Sequence, residues 1–257
     1  MMNLPYRTIG MVHLPPLPLS PGYKGSVEEI LERALMDAEA LQEAGFDAVL
    51  IENYGDLPFH KDDVEPVVVA MMTRVICDLM TAIRIPIGVQ VLRNDAISAL
   101  SIAAATGCEF IRVNVHTAAA LTDQGMIQGQ ADETLRLREQ LRIETRILAD
   151  VRVKHSYQFG DIGLEDAASD AVYRGLADGI IITGRATGTH ASIDDVKRAK
   201  NVVDVPVLVG SGVTVQNARE YFAAADAIII GTSLKLNAKT TNPVDPDRAK
   251  AFMESIR

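Results

Sequence analysis

Two short segments carry side chains able to do chemistry together. One is Phe110-Ile111-Arg112-Val113-Asn114-Val115-His116 and the other Asp150-Val151-Arg152-Val153-Lys154. Both alternate apolar with polar or charged residues, the period of a strand. With the valines and isoleucine turned toward flanking helices, Arg112, Asn114 and His116 share one face, and Asp150, Arg152 and Lys154 another. A lysine buried near Arg112 and Arg152 has a lowered pKa, which suits a Schiff-base or electrophilic role. Asp150 and Glu52, with His13 and His116, are the proton-transfer candidates. Gln90, near the end of an apolar run, joins Arg112 and Asn114 as a substrate contact. This inventory fits lyase or isomerase chemistry better than redox chemistry, since no Gly-x-Gly-x-x-Gly follows a strand.

Each of these residues also has a plainer role. Arg112 and Asp150 can brace the fold as a buried ion pair, and Glu52 can serve only as a partner for Lys154. His60, beside Asp62 and Asp63, reads as solvated. No cofactor is expected. A divalent metal on His13, His116, His155 and carboxylates is the weaker alternative, because no compact ligand motif is present.

A second constellation points to an anion. Gly210-Ser211-Gly212-Val213-Thr214 and Gly231-Thr232-Ser233-Leu234-Lys235 each follow an apolar run and precede a helical pattern. Glycines let the backbone approach an anion, and N–H groups at a helix start bind it. One such turn is weak evidence. Two in succession, with Thr183 and Gly184 closing a third side, make a phosphate cradle. The plainer alternative is that these glycines only permit tight turns.

These residues need elements to position them. Eight runs rich in Val and Ile read as strands: residues 8–14, 47–52, 86–92, 110–115, 146–153, 179–183, 205–209 and 227–230. Amphipathic segments separate them. The first spans residues 27–44, opened by a capping box of Ser26 and Glu29 and stopped by Gly45. Ser192 and Thr214 read as later N-caps, Gly107 and Gly175 as stops. Helix-to-strand turns are tight, whereas strand-to-helix connections are long, notably residues 53–61 and 116–130. Elaboration at the carboxyl ends of the strands favours a parallel eight-stranded (β/α)8 TIM barrel over an open doubly wound sheet. The phosphate turns then follow the last two strands, where such barrels hold phosphate. No linker interrupts residues 1–257, which read as one domain, and the loops at 53–61 and 117–130 are lid candidates.

The chain of 257 residues has the usual length for one such barrel, and its net charge of −9 argues against nucleic acid as a partner. No apolar run is long enough to cross a membrane, and the prolines at positions 5, 15, 16 and 18 break any signal-peptide pattern. Cys77 and Cys108 form no metal or redox pattern and read as small buried hydrophobes, which fits a reducing, cytoplasmic setting. The expected partner is a small phosphorylated ligand. Self-association is open.

Several segments resemble the BtpA/SgcQ family over essentially the whole chain. They are Ile9-Gly10-Met11-Val12-His13-Leu14-Pro15-Pro16-Leu17-Pro18, Glu52-Asn53-Tyr54-Gly55-Asp56, Val91-Leu92-Arg93-Asn94-Asp95 and the segment 110–116 above. Ala149-Asp150-Val151, Val153-Lys154-His155, Ala186-Thr187-Gly188, both glycine turns and Asn242-Pro243-Val244-Asp245-Pro246 extend the match. The resemblance implies the fold of phosphate-binding TIM barrels. It also implies two associations, one with photosystem I biogenesis as a membrane-associated factor and one with a sugar-related gene cluster, but no catalytic set. At position 152 it implies a histidine where this chain has Arg152, so no proton-transfer role is carried over there. Three functions remain: an enzyme acting on a small phosphorylated sugar or nucleotide fragment, a non-catalytic assembly factor, and a metabolite-sensing protein.

Overall fold

The computed structural model describes residues 4–152, 156–158, 162–184 and 190–257. The strands among them are β1 (Thr8–His13), β2 (Ala48–Glu52), β3 (Ile87–Gln90), β4 (Phe110–Val113), β5 (Ala119–Thr122), β6 (Gly125–Gln128), β7 (Arg146–Val151), β8 (Ser156–Gln158), β9 (Gly179–Ile182), β10 (Val207–Val209) and β11 (Ala227–Ile230). The helices are α1 (Val27–Ala44), α2 (Pro66–Ala82), α3 (Ala96–Thr106), α4 (Ala131–Leu141), α5 (Leu164–Ser169), α6 (Ile193–Lys200), α7 (Ala218–Ala224) and α8 (Pro246–Ser255). Eight parallel strands close into a barrel in the order β1-β2-β3-β4-β7-β9-β10-β11 and back to β1. β5, β6 and β8 form a separate antiparallel sheet, with β5 in the middle.

The alternation of each barrel strand divides the core in two. Ile9, Met11, Leu50, Phe110, Leu148, Ile181, Leu208 and Ile229 fill the lumen with Tyr6. Val12, Val49, Ile51, Val89, Ile111, Val113, Val151 and Ile230 face outward and pack with the helices. The two sets occupy opposite parities, as a closed sheet covered by helices requires.

Helix ends follow local chemistry. Ser26 Oγ accepts the Glu29 N–H, and α1 ends at Gly45 with φ 95°. Ser192 caps α6 and left-handed Gly107 ends α3. Thr214 caps differently from expectation. α7 begins at Ala218, and Thr214 contributes its main-chain carbonyl, which accepts the N–H groups of Asn217 and Ala218. Cys77 also departs from expectation. α2 buries Val68, Met71, Met72, Val75, Ile76 and Leu79, which turns Cys77 to the opposite, exposed face. Cys108 is buried, and burial pushes its thiol pKa up to about 11.

Strands four and seven are shorter than their alternation suggests. β4 stops at Val113 and β7 at Val151, where Arg152 adopts φ 56°. The segment 116–130, read as loop, contains the β5–β6 hairpin, beneath which Val115, Ala120 and Ile127 form a small core of their own.

Candidate functional site

The last inward residues of neighbouring strands form a polar layer above the apolar lumen. Strand register places His13 beside Glu52 and Glu52 beside Gln90. Val89 pairs with Ile111, which sets Arg112 next in the same layer. His13 Nε2 lies 3.6 Å from Glu52 Oε1, and its ring packs on Tyr54 with centroids 4.9 Å apart.

A directional chain of hydrogen bonds crosses this layer. Arg112 donates to Asp150 through Nε at 2.9 Å and Nη2 at 3.1 Å. Asn114 Nδ2 donates to Asp150 Oδ2 at 2.7 Å, while Asn114 Oδ1 accepts from Arg93 Nη1 at 3.2 Å. All four side chains are buried. Burial opposes the Arg112 charge, but Asp150 more than offsets it and holds the guanidinium above its ordinary pKa. For Arg93, burial outweighs the attraction of Asp150 and Glu52, and its pKa is lowered.

Hydrogen bonds between neighbouring loops hold the mouth in shape. Asp56, after β2, accepts the Leu17 N–H of the preceding loop at 2.7 Å. Asn53 Oδ1 accepts the Leu92 N–H after β3, also at 2.7 Å. Asn94 accepts the Val115 N–H and donates to the Val115 carbonyl after β4. Asp95 caps α3 and accepts the Val64 N–H. These side chains pair with otherwise unmatched loop backbone, which buried loops require. Asn53, Asp56, Asn94 and Asp95 are therefore structural members of their motifs.

The mouth has two lobes. The first, a cavity of ≈ 180 Å³, is lined by Gly210, Ser211, Gly212, Thr214, Gly231, Thr232 and Ser233 together with His13, Glu52, Tyr54 and Arg112. Gly212, at φ 71°, turns the chain here as only glycine does readily. Its carbonyl is held by Asn217 Nδ2 at 2.9 Å and lies 2.7 Å from His190 Nδ1. Ser211 Oγ accepts the Gly184 N–H at 2.6 Å, Ser233 Oγ donates to the Val213 carbonyl, and Thr232 Oγ1 lies 2.9 Å from Thr240 Oγ1. Thr183 Oγ1 meets the Arg152 carbonyl at 3.5 Å. The second lobe, ≈ 350 Å³, shares Glu52, Tyr54 and Arg112 with the first and adds Gln90, Arg93, Asn114, Asp123, Leu57, Phe59 and Leu92. Both lid-candidate loops thus supply walls to it.

Some expected residues fall elsewhere. His116 is buried, but its Nε2 lies 2.7 Å from the Gly175 carbonyl rather than in either lobe. Alternation carried past the end of β4 holds for Asn114 and fails by His116. Gly175 ends a π-helical turn, Asp170–Arg174, that continues α5, with an ordinary negative φ, and its glycine identity serves close approach: a Cβ there would sit 2.6 Å from Thr117 Cγ2. Asp150 lines neither of the two lobes. Arg152 is exposed and donates to the Ile162 carbonyl. Lys154 and His155 lie outside the described residues. Lys235, beside the second glycine turn, is wholly buried and bound to Asp37 at 2.8 Å, so it braces α1. Among the described residues no three His, Cys, Asp or Glu side chains are grouped as a metal site. Arg93, Tyr54, Asp123 and Thr240 were not expected. Arg93 sits just past a strand end, where no periodicity reports direction.

Burial lowers the His116 pKa, against the raising effect of its bond to Gly175. The unfolded chain, with an imidazole pKa of about 6.5, then takes up a proton that the folded protein resists. The contribution of neutral His116 is complete above that pH and lost as pH falls through the folded value. His116→Gln is expected to show a smaller loss of stability than the parent between about pH 7.5 and pH 5, measured by urea unfolding. Equal losses would contradict this assignment.

A closed barrel of eight parallel strands with its polar side chains gathered at the carboxyl ends defines a TIM barrel. The chain belongs to the BtpA family, whose model matches residues 6–257. It is 46% identical over 245 residues to an uncharacterized protein of Methanocaldococcus jannaschii, covering 95% of this chain and 93% of that one. It is 44% identical over 249 residues to the photosystem I biogenesis protein BtpA of Synechocystis, covering 96% and 87%. Among solved structures, tryptophan synthase of Mycobacterium tuberculosis superposes with a TM-score of 0.62 at 17% identity, over 98% of this chain and 93% of that one. Thiamine phosphate pyrophosphorylase of Pyrococcus furiosus gives 0.61 at 11% identity, over 98% and 95%. At those identities the likeness is one of fold. No helix among the described residues is long and apolar enough to cross a membrane.

Proposed function

We propose that the barrel mouth binds a small phosphorylated metabolite, sugar- or nucleotide-like, and carries out lyase- or isomerase-type chemistry on it. The observation that carries this reading is the first lobe, where two glycine turns and the side chains of Glu52, His13 and Arg112 line one cavity. The phosphate is assigned to the turns at 210–212 and 231–233, with Ser211, Thr232 and Ser233 beside it and Thr183 and Gly184 behind. Glu52, next to His13, is the proton-transfer group nearest the junction of the lobes. Arg112 is the electrostatic partner of developing negative charge, and Asp150 positions it. Lys154 keeps its assignment as the electrophilic group. The pyrophosphorylase neighbour, named for a phosphorylated compound, is in keeping with this reading.

The expected result is that native mass spectrometry of freshly purified protein finds a stoichiometric adduct that fragments to a phosphate ester. Protein that is free of adduct and shows no binding to inorganic phosphate or ribose 5-phosphate would count against it.

A second reading, as a non-catalytic assembly factor, has one structural observation in its favour. Leu121, Met126 and Tyr157 are cross-strand neighbours on the accessory sheet, and all three are exposed. A relative bears the name of a biogenesis protein. Stoichiometric recovery of membrane-complex subunits by pull-down, lost on replacing these three residues with serine, would support that reading instead.

A further inference from the structure

The second lobe has features that the phosphate assignment does not use. Gln90 stands at its base, 1% exposed, and its Oε1 has no hydrogen-bond partner among the described residues. A buried amide left unmatched is costly, so such a group points to a ligand that completes it. Whichever way the amide is turned, it offers one donor and one acceptor side by side in a plane.

The surroundings restrict what can meet that amide. Leu57, Phe59 and Leu92 form an apolar wall to which Tyr54 adds a single hydroxyl, and the Tyr54 and Phe59 rings lie 6.3 Å apart at 60°. A free sugar in this space would set the hydroxyls on its wall-facing side against hydrocarbon, without partners. A flat ring suits it better, with apolar faces against the wall and polar edge toward Gln90. The polar groups are the buried Gln90, Arg93 and Asn114, with Asp123 contributed by the hairpin turn. The lobes meet at Glu52, Tyr54 and Arg112, so one molecule can place a phosphate in the first and a ring in the second.

We infer that the second lobe is a nucleobase-type subsite: it takes a planar heterocycle whose edge carries a donor beside an acceptor, paired with the Gln90 amide. The inference rests on the phosphate assignment for the other end of the same ligand. Together they name the substrate class as a nucleoside monophosphate or a compound of that form, with its sugar where the lobes meet at Glu52.

Titration calorimetry with uridine 5′-monophosphate, adenosine 5′-monophosphate, uridine, adenosine and ribose 5-phosphate tests this. At least one nucleotide is expected to bind about tenfold or more tighter than ribose 5-phosphate, the scale of a two-bond pairing to a base edge. Gln90→Met, of similar length but without the amide, is expected to remove that advantage while ribose 5-phosphate binds as before. Nucleotides no better than ribose 5-phosphate, or an advantage that survives in Gln90→Met, would overturn the subsite and leave the phosphate assignment standing. A nucleoside binding as tightly as its monophosphate, with the Gln90 dependence intact, would instead remove the phosphate assignment and keep the subsite.

Discussion

Asp150→Ala is expected to destabilise the fold by about 3–5 kcal/mol, the scale for removing one partner of a buried ion pair. The reason lies in the direction of the hydrogen bonds around it. Arg112 presents two donors to Asp150 and Asn114 a third, and all three groups are buried. Alanine leaves these donors without an acceptor in a cavity where water is a poor substitute. Asp150→Asn is milder but not silent, because one of its two terminal groups becomes a donor facing donors. Asn114 cannot turn over to accommodate it, since its Oδ1 already accepts from Arg93. The expected cost is about 1–3 kcal/mol, that of one unmatched buried hydrogen bond. The double variant Arg112→Met with Asp150→Leu removes both charges together and is expected to regain part of the stability, because apolar replacement of a buried pair is close to neutral while the Asn114 amide, left without its acceptor, still costs about 1–3 kcal/mol. Urea unfolding of the three variants reads this pattern through the midpoint and slope. An Asp150→Ala protein as stable as the parent would show that Arg112 needs no counter-charge.

The same double variant separates bracing from binding. Arg112 lines both lobes, whereas Asp150 lines neither. If the double variant regains stability but fails to hold a phosphorylated ligand, the pair serves binding as well as bracing, and the lining of the lobes assigns the contact to Arg112. The two roles that the sequence leaves open for this pair are then not alternatives, since the counter-charge is what keeps a guanidinium available in an apolar barrel.

How far the sequence reaches can be judged from where alternation stops. The barrel was legible because each strand sorts its side chains between lumen and helices, and Phe110 and Ile111 obey that sorting. Arg112, Asn114 and Asp150 fall within or one residue beyond regular strands, and they meet as their parity implies. His116 lies three residues beyond the end of β4, and Arg152 one residue beyond β7 in a left-handed conformation, so parity fails for both. Arg93 belongs to a loop whose course is set by Asn53 and Asn94 bonding backbone groups of neighbouring loops. Such long-range pairing has no period in the sequence. The glycine turns were legible for another reason, that glycine is needed where the backbone turns with positive φ, as at Gly212, or passes close to other side chains, as at Gly210 and Gly231, where a Cβ would overlap Ile181 Cγ2 and sit 3.0 Å from His13 Cε1, respectively. The helix start expected beside the first turn was not, because α7 begins only at Ala218.

With α7 set back from the first glycine turn, Thr232 in the second turn is the position at which a charge tests the anion site. The residue lines the first lobe, directly after Gly231, and opens a single helical turn. Thr232→Asp places a carboxylate where the phosphate is assigned. Thr232 is half-buried and the hydrogen bond of its hydroxyl is to Thr240 Oγ1, so stability should change little. An anionic ligand would then face a like charge inside a partly enclosed cavity, a juxtaposition costing several kcal/mol. Affinity for ribose 5-phosphate and for inorganic phosphate is expected to fall by about 100-fold or more. Thr232→Asn has nearly the same shape without the charge, and is expected to lose less than about tenfold, corresponding to the hydroxyl contact alone. Calorimetric titration of both variants, with thermal unfolding as the check on folding, reads the difference between them as charge rather than shape. Equal affinities for the Asp and Asn proteins would mean that no anion binds at these turns, and that their glycines serve only the path of the chain.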